Sequence, residues 1–144
     1  DRLKSLIKKE EDYLIKNSKK TYKTFVNNII SSKENLIKKI TELKAANKSI
    51  IAKSCPARAV VLLNYCGLNN SHLKYIAEQP TSLKLDQYVP GTKIKIINDD
   101  ILMKNEPDYI LLLAWHLSGP IIKKWKKRGI KSSFIVPLPK IEII

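Results

Sequence analysis

The sequence contains few of the residues that build disulfide-rich or metal-binding proteins. It has two cysteines, Cys55 and Cys66, no CxxC motif and no cluster of cysteine with histidine. This scarcity argues against a disulfide-stabilised secreted scaffold and against a structural zinc site. No apolar run approaches the roughly 18 residues of a membrane span, and no signal peptide is visible. We therefore expect a cytoplasmic protein that does not bind membranes.

Motifs of the common catalytic classes are also missing. The sequence has no nucleophile elbow, no HExxH and no phosphate-binding P-loop. Asp99 and Asp100 are adjacent carboxylates, but their position before a short helix predicts that they cap it. Cys66 has no evident partner base. We expect no catalytic residue and no metal site among these 144 residues.

The length and composition predict one compact domain cut from a longer protein. A chain of 144 residues with 44% hydrophobic residues can bury a substantial core. The chain begins at Asp1, and its single methionine is Met103. A natural gene product normally starts with methionine, so we expect that part of the function lies outside this sequence.

The net charge of +14 invites a nucleic-acid-binding hypothesis. The excess is nevertheless even: residues 1–50 carry 13 basic and 6 acidic side chains, and residues 51–144 carry 14 and 7. There is no arginine-rich arm, zinc finger or aromatic RNA-binding signature. We interpret the lysines as solvent-facing and expect no specific nucleic-acid partner, although weak attraction to polyanions stays open.

Apolar residues at helical spacing predict a helical lead-in over residues 1–48. A first helix is predicted over residues 1–17 and a second over residues 21–46. The pattern then changes to short apolar runs, and residues 49–144 alternate strands with helices. Strands are predicted at residues 49–52, 73–77, 92–97, 108–114 and 133–136, and helices at 57–65, 99–103 and 120–129. This order predicts an α/β domain with a mainly parallel sheet, preceded by two helices.

In such a sheet, ligands bind beyond the carboxyl ends of the strands. The loop after the first predicted strand contains Lys53, Ser54 and Arg58 and leads into a helix, whose start would suit a phosphate. The glycines of a dinucleotide fingerprint are absent, which argues against a dehydrogenase cofactor domain. Glu78 ends the second predicted strand, where a ribose-binding acid would lie. Trp115 and His116 follow the strand at 108–114 and could stack on a base or hydrogen-bond a sugar.

Four strings in order carry a family resemblance: LLNYCG at residues 62–67, YVPGT at 88–92, PDYILLLAW at 107–115 and FIVPLP at 134–139. Together they resemble the C-terminal domain of S-adenosylmethionine-dependent C-methyltransferases that make branched deoxysugars. The resemblance spans residues 20–140 and implies a Rossmann-like, three-layer domain that holds a nucleotide-linked sugar. It further implies that the methyl donor and a zinc ion bind to other domains of the parent enzyme, and that the catalytic residues lie there.

The resemblance also implies a set of sugar-nucleotide contacts. They are the loop from Lys53 to Arg58 and the residues Asn64, Lys84, Tyr88, Thr92, Trp115 and His116. The sequence departs from the family at three loops. Ala52, Ser54 and Ala59 stand at glycine positions with Arg58 for a lysine, Lys93 replaces a histidine, and His116 replaces an asparagine. These changes leave open a different sugar nucleotide or a degenerate Rossmann-like scaffold without methyltransferase activity. The net charge leaves open a polyanion-binding domain.

Overall fold

The computed structural model describes residues 1–144, which form two compact units, residues 1–31 and 32–144. In the first unit, helix α1 (Arg2–Glu10) continues into a π-helical turn (Glu11–Lys16), and helix α2 (Ser18–Ala45) begins. None of residues 1–31 is buried, so their apolar stripe stays exposed. None of the helices in the chain is both long and apolar enough to cross a bilayer.

A six-stranded sheet organises residues 32–144. The strands lie in the order β3-β2-β1-β4-β5-β6, and all neighbours are parallel except the last pair. Their bounds are Ile50–Lys53 for β1, Tyr75–Glu78 for β2, Lys95–Asn98 for β3, Tyr109–Leu112 for β4, Ser133–Val136 for β5 and Glu142–Ile143 for β6. The helices are α3 (Ala57–Tyr65), α4 (Ile101–Lys104) and α5 (Ser118–Lys127), with a 3₁₀ turn at Trp115–Leu117.

Apolar side chains fill both faces of this sheet. On one face, a core cluster joins the strands to α3 and to Leu36 and Ile40 of α2. On the other, Trp125 of α5 and Leu102 of α4 pack against strand residues such as Phe134. A buried parallel sheet of this kind needs near-continuous apolar strands, which is what β4 provides. The three-layer, Rossmann-like α/β prediction is confirmed.

The structure corrects several predicted details. Strands β2 and β3 begin two to three residues later than predicted, α5 begins two residues earlier than Pro120, and β6 was not predicted at all. The prediction that Asp99 and Asp100 cap α4 is wrong, because that helix start has no side-chain cap hydrogen bond. Asp99 instead forms an ion pair with Lys53 at the end of β1.

Candidate functional site

The strand order reverses between β1 and β4. From β1 the chain proceeds outward through β2 and β3, then crosses to β4 and continues outward to β5. The loops that leave the carboxyl ends of β1 and β4 therefore diverge and leave a crevice, the usual ligand position in open α/β sheets. A cavity of about 350 Å³ opens there. Its wall includes Lys53, Ser54, Glu78, Lys84, Asp99, His116, Lys124 and Trp125.

A buried ion pair forms part of this wall. Lys53 is the last residue of β1 and Asp99 follows β3; they are only 5% and 4% exposed. The Lys53 Nζ atom lies 3.0 Å from Oδ2 of Asp99 and 5.7 Å from the centre of the Trp125 ring. Burying an ammonium group is tolerable only with such a partner. Sequence reasoning missed Asp99 as a site residue, although its position just beyond a strand's carboxyl end was a usable signal.

Glu78 and Lys84 hold the loop between β1 and α3. The Cys55 N–H donates to Oε2 of Glu78 over 2.8 Å, and the Gln79 N–H donates to Oε1 over 2.9 Å. The Lys84 ammonium donates to the Cys55 carbonyl over 2.6 Å. Both residues line the cavity, but each has a polar contact within the chain that fixes the loop. Any ligand contact that they make would add to this positioning role.

The two thiols are poor candidates for a nucleophile. Burial raises the pKa of the Cys55 thiol, with the Lys84 charge opposing the shift. Burial likewise raises the pKa of Cys66, where Lys33 opposes it. Both side chains are therefore protonated at neutral pH. Since the thiolate is the reactive form of cysteine, neither thiol is a good nucleophile.

The start of α3 has the features of an anion site. Ser54 has a φ of +69°, which lies in the left-handed region that favours glycine. The loop after β1 therefore has a glycine-type backbone conformation although a serine stands there. Pro56 is the N-cap residue and provides no side-chain cap hydrogen bond, which leaves N–H groups of the first turn available. Arg58 lies in that turn and has no acidic partner within the ion-pair distance of 4.0 Å.

An aromatic platform adjoins this helix start. The Arg58 guanidinium lies 5.9 Å from the centre of the Trp115 ring, and the His116 ring meets Trp115 edge-on at 6.3 Å. Trp115 is half-buried against the α5-side core, whereas His116 is exposed. A ring fixed on one side in this way can stack on a planar ligand at low entropic cost.

The structure separates three predicted residues from this crevice. Asn64, in the last turn of α3, donates to the carbonyls of Val60 and Pro90 over 2.8 and 3.1 Å. Thr92 is 1% exposed, and its hydroxyl donates to the Val89 carbonyl and accepts from the Ile94 N–H. Tyr88 is 62% exposed and bridges to Lys95 at the start of β3. In this chain these residues shape the turn before β3.

A second cavity, of about 560 Å³, opens at the amino end of the sheet. Its rim carries Lys44, Lys48 and His72, among others. Their polar groups have partners in the chain: Lys44 donates to the Ser71 carbonyl, Lys48 pairs with Asp108, and His72 contacts Asn69. We favour the smaller crevice at the carboxyl ends because Pro56, at the uncapped start of α3, lines it. Arg58 and Trp115 do not line the cavity themselves, but each lies within two residues of a lining residue, Pro56 or Ala114.

The fold and this crevice define a Rossmann-like domain with a candidate ligand site at its switch point. A family model described as the C-methyltransferase C-terminal domain matches residues 1–139. The C-methyltransferase NovU of Streptomyces niveus is 32% identical over 103 residues, which cover 69% of this chain and 24% of that relative. The chain belongs to the C-methyltransferase C-terminal domain family, as its sequence strings predicted. It spans about a quarter of the length of the relative.

Proposed function

We propose that this domain anchors a nucleotide-linked deoxy-keto-sugar in an enzyme that methylates a sugar carbon with S-adenosylmethionine. The observation that most directly supports this proposal is a cationic, uncapped helix start next to an aromatic ring at the switch point. Arg58 and the first turn of α3 suit a diphosphate. Trp115, 5.9 Å from the Arg58 guanidinium, suits stacking on a base or sugar.

The proposed contribution of this chain to methyl transfer is orientation. The expected reaction removes a proton beside the sugar keto group, and the resulting carbanion takes the methyl group from the sulfonium donor. Fixing the nucleotide far from the reacting carbon would hold that carbon in place and turn remote binding energy into rate. The domain would bind and orient, and it would supply no proton-transfer group.

We assign the methyl donor, and a zinc ion, to domains outside this chain. Ala52 is fully buried and Ser54 carries a side chain, so the crevice lacks the glycines that allow close approach of a cofactor's diphosphate to the backbone. We also propose a cytoplasmic location, which fits two free, buried cysteines.

Calorimetric titration tests the anchoring role. The chain is titrated with the diphosphate sugars of thymidine, guanosine and cytidine at low and at physiological salt. We expect saturable, base-selective binding that survives salt and weakens at least about fivefold in Trp115→Ala, since stacking is worth roughly 1–3 kcal/mol per base. Tyr13→Ala, which removes an aromatic ring that is 65% exposed in the other unit, is the matched control.

Two results would contradict the proposal. Binding that ignores the base and disappears at physiological salt would identify simple attraction of phosphates to a chain of net charge +14. Equal affinities of Trp115→Ala and the unaltered chain would show that the ligand does not bind at the Trp115 side of the crevice. The first result would favour the polyanion alternative, and the second the scaffold alternative.

A further inference from the structure

The Lys53–Asp99 ion pair lies in the core, at positions where apolar side chains would also fit. The side chains of Lys53 and Asp99 are 7% and 6% exposed, and the Lys53 ammonium lies near the face of the buried Trp125 ring. Replacing a buried ion pair with apolar residues of similar volume is often neutral or stabilising. Fold stability alone therefore gives weak grounds for this pair, and its place in the cavity wall suggests contact with a ligand.

The pair is electrically unsuited to a phosphate. Its two charges cancel at an Nζ–Oδ2 distance of 3.0 Å, and an anion that approached Lys53 would meet the Asp99 carboxylate. Arg58, at the start of α3, has no carboxylate within 4.0 Å. The Glu78 carboxylate, at the end of β2, accepts from the Cys55 and Gln79 N–H groups. The charges thus assign a diphosphate to the α3 side of the crevice and leave a neutral, polar group for the Lys53 side.

The hydrogen-bonding capacity of the pair identifies that group. An ammonium has three donors and a carboxylate about four acceptor sites. Apart from the Trp125 ring beside the Lys53 ammonium, neither Lys53 nor Asp99 has another side-chain partner within the chain. A matching ligand must accept from one and donate to the other. A hydroxyl group does both, and two adjacent hydroxyls on a sugar ring would contact both partners at once.

We propose that Lys53 and Asp99 form a specificity site for adjacent hydroxyl groups on a sugar ring of the ligand. This inference rests on the proposed nucleotide-sugar function. The ring could be the ribose of the nucleotide or the linked hexose, since both offer the same chemistry. Asp99 would accept a hydrogen bond from one hydroxyl, and Lys53 would donate to the neighbouring hydroxyl. The buried Trp125 ring, which lies against the Lys53 ammonium, would hold the pair in place.

Matched probes that differ only in sugar hydroxyls test this site. UDP against 2′-deoxy-UDP reports on ribose hydroxyls, and UDP-glucose against UDP-2-deoxyglucose reports on the hexose. We expect one of these ratios of dissociation constants to be at least about tenfold in the unaltered chain, because a site built to bind a hydroxyl rejects the analogue without it. The variant Lys53→Met/Asp99→Leu, which keeps the volume and removes both charges, should bring that ratio close to one.

Two controls separate specificity from structure. Arg58→Ala should weaken every diphosphate probe by a similar factor and leave the ratio unchanged. In the unaltered chain, the Trp125 indole N–H signal in an NMR spectrum should shift with the hydroxyl-bearing probe of the responsive pair and not with its partner. This second readout does not depend on any variant of Lys53 or Asp99 folding correctly.

The outcomes distinguish this inference from the proposed function. If the unaltered chain binds the probes but the double variant keeps the same ratio, or weakens all of them equally, the hydroxyl site is wrong and the anchoring role stands. Ratios near one for both pairs in the unaltered chain would overturn the site in the same way. Absence of saturable binding by these probes and by the diphosphate sugars of thymidine, guanosine and cytidine alike would overturn both proposals.

Discussion

At the amino end of the sheet, carboxylates join the starts of neighbouring strands, whereas at the carboxyl end they border an open cavity. Asp108, before β4, accepts from the N–H and hydroxyl of Ser49, before β1, over 2.9 and 2.8 Å. Glu106 accepts from the N–H groups of Lys131 and Ser132, which precede β5. These acceptors are occupied by backbone donors, so their role is to fix strand register.

At the carboxyl end, Glu78 also accepts from two backbone N–H groups, but Asp99 and Arg58 have fewer internal partners. Asp99 has a single ionic partner, the start of α3 has no side-chain cap, and Arg58 has no carboxylate beside it. The contrast teaches that charge and cavity size do not by themselves identify a site. Hydrogen-bonding groups with few internal partners next to a cavity are the more specific indicator, and Asp99 and Arg58 at the carboxyl end are such groups.

The largest expected effect comes from breaking the buried pair. Lys53→Met leaves the Asp99 carboxylate buried without a counter-charge, and we expect a loss of about 3–5 kcal/mol in the free energy of unfolding. Lys53→Met/Asp99→Leu should regain most of that loss because no charge stays buried. Urea unfolding of the three proteins measures both values. A double variant as unstable as Lys53→Met would show that the pair is needed for the fold itself.

The turn before β3 should give the next largest effect. Gly91 has a φ of +80°, and a Cβ there would lie 2.2 Å from Oδ1 of Asn64. We expect Gly91→Ala to cost about 2–3 kcal/mol, from left-handed strain and overpacking together. Gly67→Ala is the control, because Gly67 also has a positive φ but nothing within 4 Å of the added carbon. It should cost about 1 kcal/mol, from strain alone.

Urea unfolding of both glycine variants checks this difference. Adding Asn64→Ala to Gly91→Ala should relieve the steric part and leave the strain. Equal losses for the two single variants would mean that the Asn64 amide moves aside freely, and that its hydrogen bonds to Val60 and Pro90 contribute little to the turn.

Local signals predicted much of this architecture from the sequence. Helix α3 and strand β5 have the predicted bounds, because Pro56, Gly67 and Pro137 mark their limits and apolar residues fill them. Gly67 has the left-handed φ expected of a residue that follows a helix. Strand β6 escaped prediction because its two residues are exposed and its pairing with β5 is a tertiary contact.

The candidate site was less predictable for a physical reason. Lys53, Ser54 and Arg58 followed from the switch-point rule, since they come directly after a strand. Asp99 was misassigned because an aspartate before a helix resembles a cap, and only the folded sheet brings it to Lys53. The family strings gave Asn64 and Thr92 without saying that their polar groups bond within the chain.

The amino-end carboxylates should make stability depend on acid. Hydrogen bonds from the Ser49 backbone and hydroxyl, and then from Lys48, lower the pKa of Asp108 from 3.8 to about 2. A lowered pKa in the folded state means that the stabilisation is complete above the unfolded value and is lost as the pH falls toward the folded value. Unfolding free energy should therefore decrease as the pH falls from 3.8 toward about 2.

Asp108→Asn is the test of this assignment. The amide cannot titrate, so its stability should depend less steeply on pH in that range than that of the unaltered chain. Some slope should persist, because hydrogen bonds from the Ser132 backbone also lower the pKa of Glu106. Parallel curves for the two proteins, followed by urea unfolding at a series of pH values, would exclude Asp108 as the titrating group.

The smallest loss of stability is expected at the amino-end ion pair of Lys48 and Asp108. It gives the most direct comparison between an exposed ion pair and the buried pair of Lys53 and Asp99. Lys48 pairs with Asp108 at 3.1 Å, nearly the separation of Lys53 and Asp99, but their side chains are 46% and 38% exposed. Water solvates both charges before and after the change, so Lys48→Met should cost no more than about 1 kcal/mol. Urea unfolding beside Lys53→Met gives the contrast. If Lys48→Met cost as much as Lys53→Met, burial would not be what distinguishes the two ends, and the case for the carboxyl-end pair as a ligand contact would lose its energetic basis.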